Sequence, residues 1–143
     1  MRQRKKYFTL DEAQQKIPLI SKLMTDVMQL RRALESLNSI EIEYEEDEAE
    51  EINFMTMNKE FHKLSYKFYR KLELVEKIGC VVKDIDIGLV DFLSLFQGRE
   101  VLLCWRYGES DISYYHEHDQ GYTQRKPIKE IETELDKESG LHL

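Results

Sequence analysis

A chain of 143 residues has the length of one domain with one core, and with no run of about 18 apolar residues it offers no helix to span a membrane. Hydrophobic residues make up 41% and charged residues 34%, a high charged share that the solvated faces of long helices would supply. The net charge of −7 is local: eight of the eleven residues from Glu41 to Glu51 are acidic, and setting them aside leaves 20 acidic against 21 basic side chains, so no broad basic field favours nucleic acid.

Residues 1–8 form a basic arm carrying Arg2, Arg4, Lys5 and Lys6. No apolar stretch follows the arm, so it does not read as a secretory signal, and a cytoplasmic location is expected. Thr9-Leu-Asp-Glu12 fits a capping box that opens a helix over 10–38. Within it Ile20, Leu23, Val27, Leu30, Leu34 and Leu37 are spaced 3, 4, 3, 4, 3, a heptad seam of the coiled-coil kind. Pro18 removes one backbone donor near its start and is expected to bend it. The acidic stretch 39–51 follows, as a solvated hairpin tip or an extension of the second helix. It lacks the acidic ladder and glycine of a calcium loop. The second helix is expected over 47–78, with Phe54, Met57, Phe61, Leu64 and Phe68 as its stripe and Gly79 as its stop. An antiparallel hairpin of two such helices cannot cover both stripes. It needs the sheet, or a second copy, to complete a core, and a homodimer through helices 10–38 and 47–78 is expected.

After Gly79 the texture becomes that of strands: Cys80 to Ile85, Gly88 to Phe92, Glu100 to Tyr107 and Ile112 to His118, with Gln97-Gly98 and Gly108 to Asp111 as turns. The expected fold class is therefore α+β, a long antiparallel helical hairpin followed by a small antiparallel sheet of three to four strands. In the last hairpin, pairing Tyr107 with Ile112 sets Trp105 against Tyr114, Leu103 against His116 and Val101 against His118. That register places His116 and His118 on one face with Val101, Leu103 and Trp105, and Cys104, Arg106 and Tyr115 on the other. Beyond residue 127, Ile128, Ile131 and Leu135 have helical spacing, and 128–143 reads as a short helix or tail. The whole is expected to be a single domain: arm 1–8, hairpin 9–78, sheet region 79–127 and this tail.

Chemistry concentrates between Trp105 and Arg125. His116-Glu-His118 puts two imidazoles on one side of a strand, which makes His116 and His118 weak metal candidates, with Asp91, Asp119 or Glu100 as a third ligand. Arg106 and Arg125 need charge partners near a packed sheet, and Asp91, Glu109, Glu117 and Asp119 can supply them. Such a group is either an ion-pair network or a corner for a small anionic ligand walled by Trp105 or Tyr122. The ligand-binding candidates are thus Asp91, Trp105, Arg106, Glu109, His116, Asp119 and Arg125. Cys80 and Cys104 lie in apolar runs and read as buried free thiols. No nucleophile or phosphate-loop motif is present, so no catalytic residue is assigned, no cofactor is expected, and the balance leans away from an enzyme.

Three blocks carry a family resemblance: YFTLDEAQQKIP, KDIDIGLVDF and LCWRYGESDISYYHEHDQGYTQRKPI. Over most of residues 7–128 the chain resembles the domain of unknown function 2203 family. Its pattern falls on Asp86, Gly88, Asp91, Phe92, Trp105, Arg106, Gly108, Glu109, His116, Gly121, Arg125 and Pro127, without His118 and without the acidic run. The resemblance implies a small prokaryotic protein and brings no activity with it. The leading expectation is a dimeric interaction or ligand-binding module. The alternatives are a small enzyme, with His116 as general base or metal ligand and Arg106 and Arg125 holding an anionic substrate, and a nucleic-acid-associated protein using the basic arm.

Overall fold

The computed structural model describes residues 5–46 and 51–131. Arg2 and Arg4 of the arm, Asp47 to Glu50 of the acidic stretch, and Leu135 with the rest of the tail lie outside the described residues. Two helices, α1 (Leu10–Glu46) and α2 (Glu51–Ile78), precede five antiparallel strands: β1 (Val81–Asp84), β2 (Leu89–Phe96), β3 (Arg99–Arg106), β4 (Tyr114–His116) and β5 (Lys126–Pro127). The sheet order is β1-β2-β3-β4-β5, so each strand pairs with its neighbour in sequence. The fold is α+β, as expected from the sequence pattern, with five strands where three to four were expected, because Lys126–Pro127 adds a short strand beside Tyr114 and Tyr115.

The start of α1 is the expected capping box. The Thr9 hydroxyl accepts from Glu12 N–H at 3.0 Å, and the Glu12 carboxylate accepts from Thr9 N–H at 3.0 Å. The helix runs on through Pro18, which is exposed, and past residue 38 to Glu46. Most of the acidic stretch thus extends the first helix, where a connection or an extension of the second was expected. The reason is local: 39–46 holds no glycine or proline to stop it, and glutamate is a good helix former. At 1.5 Å per residue α1 is about 55 Å long and α2 about 42 Å.

Ala13, Ile17, Ile20, Met24 and Val27, spaced 4, 3, 4, 3, are buried with Leu23 and Met28 in one core. The sheet contributes Val90, Phe92, Val101, Leu103, Trp105 and Tyr115 to the same core. The heptad positions Ile20, Leu23 and Val27 are buried, whereas Leu30, Leu34 and Leu37 are only partly covered. Among the described residues, no side chain of α1 after Met28 and none of α2 before Phe68 is fully buried. Among the described residues the sheet backs one half of the hairpin, and in the other half the two helices pack mainly on each other, with Arg31 of α1 reaching Asp86 of the β1–β2 turn at 4.0 Å.

The N-terminal segment straps the sheet. Phe8 is 1% exposed and packs edge-on against Phe92, with ring centroids 5.1 Å apart. Its N–H donates to the Leu93 carbonyl at 2.8 Å, and its carbonyl accepts from the Ser94 hydroxyl at 2.7 Å. Lys6 caps α2 by donating to the Ile78 carbonyl at 3.1 Å. Between β2 and β3 the turn Gln97-Gly98 has φ of 52° and 76°, the positive pair of a type I′ hairpin, which glycine tolerates without strain.

The last hairpin differs from expectation by one residue. Leu102 pairs with His116, Leu103 with Tyr115 and Cys104 with Tyr114. The connection is the seven-residue segment 107–113 rather than a four-residue turn, because α1 holds its far end. The Gln14 side chain accepts from Ile112 N–H at 2.9 Å and donates to the Ile112 carbonyl at 3.4 Å. A one-residue slip exchanges the faces of a strand, so His116 joins Leu102 and Cys104 while Tyr115 joins Leu103 and Trp105.

Candidate functional site

On the face turned away from the helices, three adjacent strands each present one reactive side chain. Asp91 of β2 is the cross-strand partner of Cys104 of β3, and His116 of β4 pairs with Leu102, two residues before Cys104. Alternation along the strands puts all three on one side. They are 1%, 0% and 2% exposed. His116 Nε2 lies 3.1 and 3.2 Å from the two Asp91 carboxylate oxygens, and Nδ1 lies 2.8 Å from the Glu117 carbonyl. One ligating atom from each of Asp91, Cys104 and His116 falls within 4.8 Å of the other two. Burial pushes the Cys104 thiol up to about 12, and the neighbouring Asp91 charge works in the same direction.

This arrangement is not a nucleophilic triad. One ring nitrogen of His116 is held by a backbone carbonyl and the other faces Asp91, so neither is free to deprotonate Cys104. The raised thiol is the opposite of an activated one. A general base must also reach a substrate proton, and a histidine 2% exposed does not.

Beside this group the arginines are locked. Arg125 Nη2 donates to Glu109 at 2.7 Å, with the arginine side chain 7% exposed. Its guanidinium lies 4.1 Å from the Tyr114 ring centroid and 4.8 Å from that of Tyr122. Its Nε is buried with no hydrogen-bond partner. The Tyr122 hydroxyl accepts from Arg106 at 2.9 Å. Glu109 is the hub: its other oxygen accepts from Arg106 N–H at 2.6 Å, and its carbonyl accepts from Trp105 Nε1 at 3.0 Å. Arg106, Glu109 and Arg125 thus meet in one corner as an ion-paired, hydrogen-bonded network. Its walls are Tyr114 and Tyr122; Trp105 lies fully buried in the core shared with the helices.

His118 and Asp119 stand apart. His118 Nε2 donates to the Glu100 carboxylate at 3.0 Å, and Asp119 is exposed in the turn after β4. The expected His116–His118 pair does not converge, since β4 ends at His116 and the chain turns there. Glu100 is also bound by Lys5 at 3.0 Å and by the Tyr7 hydroxyl. The hydrogen bonds from Tyr7, then Lys5, hold its carboxyl down to about 2. Cys104 and Tyr114 were not singled out as site residues. The signal for both was their place in the strand alternation, which a register one residue different would have revealed.

A second surface lies on the hairpin. Asp26, Gln29, Leu30 and Ala33 of α1 and Tyr66, Lys67, Arg70 and Lys71 of α2 line a groove of about 610 Å³, crossed by a 3.2 Å ion pair between Lys71 and Asp26. Nearby Tyr66 and Tyr69 are 72% and 66% exposed.

Among the described residues, no helix is long and apolar enough to cross a membrane. No curated protein and no solved structure matches the chain. A family described as "Uncharacterized conserved protein (DUF2203)" matches residues 6–128. With the match running from the N-terminal strap through the arginine corner, the chain belongs to the DUF2203 family.

Proposed function

We propose that this protein is a non-enzymatic interaction module that forms a homodimer through the half of its helical hairpin that the sheet leaves uncovered. The observation that carries this reading is the fading of the core: the heptad seam continues through Leu30, Leu34 and Leu37 and the facing stripe through Met57, Phe61 and Leu64, yet none of these is fully buried. Half-covered apolar seams at helical spacing are completed when a second hairpin packs on the first as a four-helix arrangement. Exposed Tyr66 and Tyr69 add aromatic surface of the kind enriched at interfaces. The reading places the protein in the cytoplasm, where the two buried free thiols stay reduced.

The enzyme alternative has less behind it. Glu109 already neutralises Arg125, and the closed Asp91–His116 pair admits no substrate. The nucleic-acid alternative has lost half of its arm: Lys5 pairs with Glu100 and Lys6 caps α2.

Size-exclusion chromatography with light scattering tests the proposal. A mass twice the 17.2 kDa chain at micromolar concentration is expected, and Leu34→Glu should reduce it to the monomer while far-ultraviolet circular dichroism keeps its helical signal. A wild-type mass of one chain across that range overturns the reading.

A further inference from the structure

We infer that Asp91, Cys104 and His116 form a buried binding site for one divalent, borderline-soft metal ion of the zinc type. The argument begins with hydrogen-bond accounting. The Glu117 carbonyl only accepts, so His116 Nδ1, 2.8 Å away, carries a proton and donates it. In a neutral ring Nε2 then presents a lone pair. That lone pair faces two carboxylate oxygens at 3.1 and 3.2 Å, which also only accept. Of these three acceptor atoms the Cys104 thiol meets one, on Asp91, and Nε2 set against the carboxylate still needs a cation between them. Either a second ring proton supplies it, making a buried ion pair, or a metal ion does.

Two features favour the metal. The first is the donor set. Cys104 Sγ lies with the other two ligand atoms inside 4.8 Å, and its thiol already bonds Asp91, so all three groups face one another. Zinc bound at about 2.0–2.1 Å to nitrogen, 2.0–2.2 Å to oxygen and 2.3 Å to sulfur in a tetrahedron holds its ligand atoms about 3.3–3.6 Å apart. The Asp91–His116 spacing of 3.1 Å is already close to such an edge, and Cys104 Sγ lies within 4.8 Å of both. The second feature is support around the ligands. A metal-binding histidine ordinarily donates its other N–H to a carbonyl or carboxylate, which fixes ring and tautomer, and the Glu117 carbonyl does this here. All three ligands also come from paired neighbouring strands, the rigid part of the sheet.

The charges balance. A divalent ion bound to a thiolate, a carboxylate and a neutral imidazole is neutral as a group, and Arg125 with Glu109 beside it adds no net charge. On binding, the Cys104 S–H bond breaks, the sulfur–metal bond forms with the electron pair left on sulfur, and one proton goes to solvent. No other His, Cys, Asp or Glu among the described residues joins the set.

The test uses full-length protein with any affinity tag removed, kept reduced and titrated with Co²⁺ and Zn²⁺ after circular dichroism has shown the metal-free chain to be folded. One Co²⁺ per chain is expected, with visible bands of tetrahedral cobalt and a near-ultraviolet thiolate-to-cobalt band, all displaced by Zn²⁺. Cys104→Ala should abolish the thiolate band and His116→Gln should weaken cobalt binding by more than about 100-fold, since loss of even an outer hydrogen-bond partner of a ligand costs about 10–100-fold. Cys80→Ala should change neither. Absence of stoichiometric binding by the folded wild-type chain overturns the inference, as does a thiolate band that survives Cys104→Ala. If a ligand variant fails to fold, the wild-type titration decides alone.

Discussion

The two faces of the sheet are made from alternate residues of the same strands, yet they are buried on different terms. The inner face, with Val90, Phe92, Val101, Leu103 and Trp105, meets α1 and is apolar. Its burial is favourable by area alone. The outer face hides Asp91, Cys104 and His116, and there burial is tolerable only because each group finds a partner. A strand can therefore supply stability on one side and specific chemistry on the other, provided the register holds.

Three changes sharpen this contrast. Trp105→Ala should cost most. Removing a fully buried indole from a core costs about 3–5 kcal/mol. It also takes away the donor that meets the Glu109 carbonyl, for roughly another 1 kcal/mol, so the chain should melt far earlier in a thermal scan. Asp91→Ala should cost about 1–3 kcal/mol in denaturant unfolding, because it leaves His116 Nε2 buried without its polar partner. Asp91→Asn, which keeps the shape and supplies an amide donor for Nε2, should recover part of that. Equal losses for Asp91→Ala and Asp91→Asn would mean that volume rather than pairing governs the outer face, and the contrast would fail.

The smallest effect lies at the rim of the outer face. Glu100 is held at about 2 in place of an ordinary 4.5, chiefly by Tyr7 and then Lys5. A carboxyl lowered by folding contributes stability that is fully present above about pH 4.5 and is lost as pH falls toward about 2. The melting temperature of wild type over that of Glu100→Gln should therefore shrink across this acid window and stay constant at neutral pH. A gap that does not change with pH would show that the Glu100 charge contributes nothing.

Much of the fold was legible because its signals are local. The capping box at Thr9 and Glu12, the 3–4 spacing along both helices and the Gln97-Gly98 turn depend on neighbours within a few residues. The register of β3 on β4 does not. It is set by Gln14, 98 residues from Ile112, and by Glu109 gathering Trp105, Arg106 and Arg125 around one loop. A hairpin read from its own turn residues has no access to those anchors, and it placed His116 with the core instead of with Cys104. Nor does the heptad carry any mark of where the sheet ends, so Leu30, Leu34 and Leu37 read like Ile20, Leu23 and Val27. Within the arginine corner, Arg106, Glu109 and Arg125 were recognisable as charges that need partners, which is a property of residue type and neighbourhood rather than of register.

The strap of residues 5–8 has a consequence for how the chain assembles. Its bonds to Leu93, Ser94 and Glu100 close loops of 85 to 95 residues. Helices form within microseconds from contacts along the chain, while a loop of that length is closed only once β2 and β3 exist. On a ribosome the hairpin can coil as soon as residue 78 emerges, but its first residues stay unanchored until the sheet follows. The strap, made before the helices, is thus fixed after them, when residues 5–8 find the sheet made later.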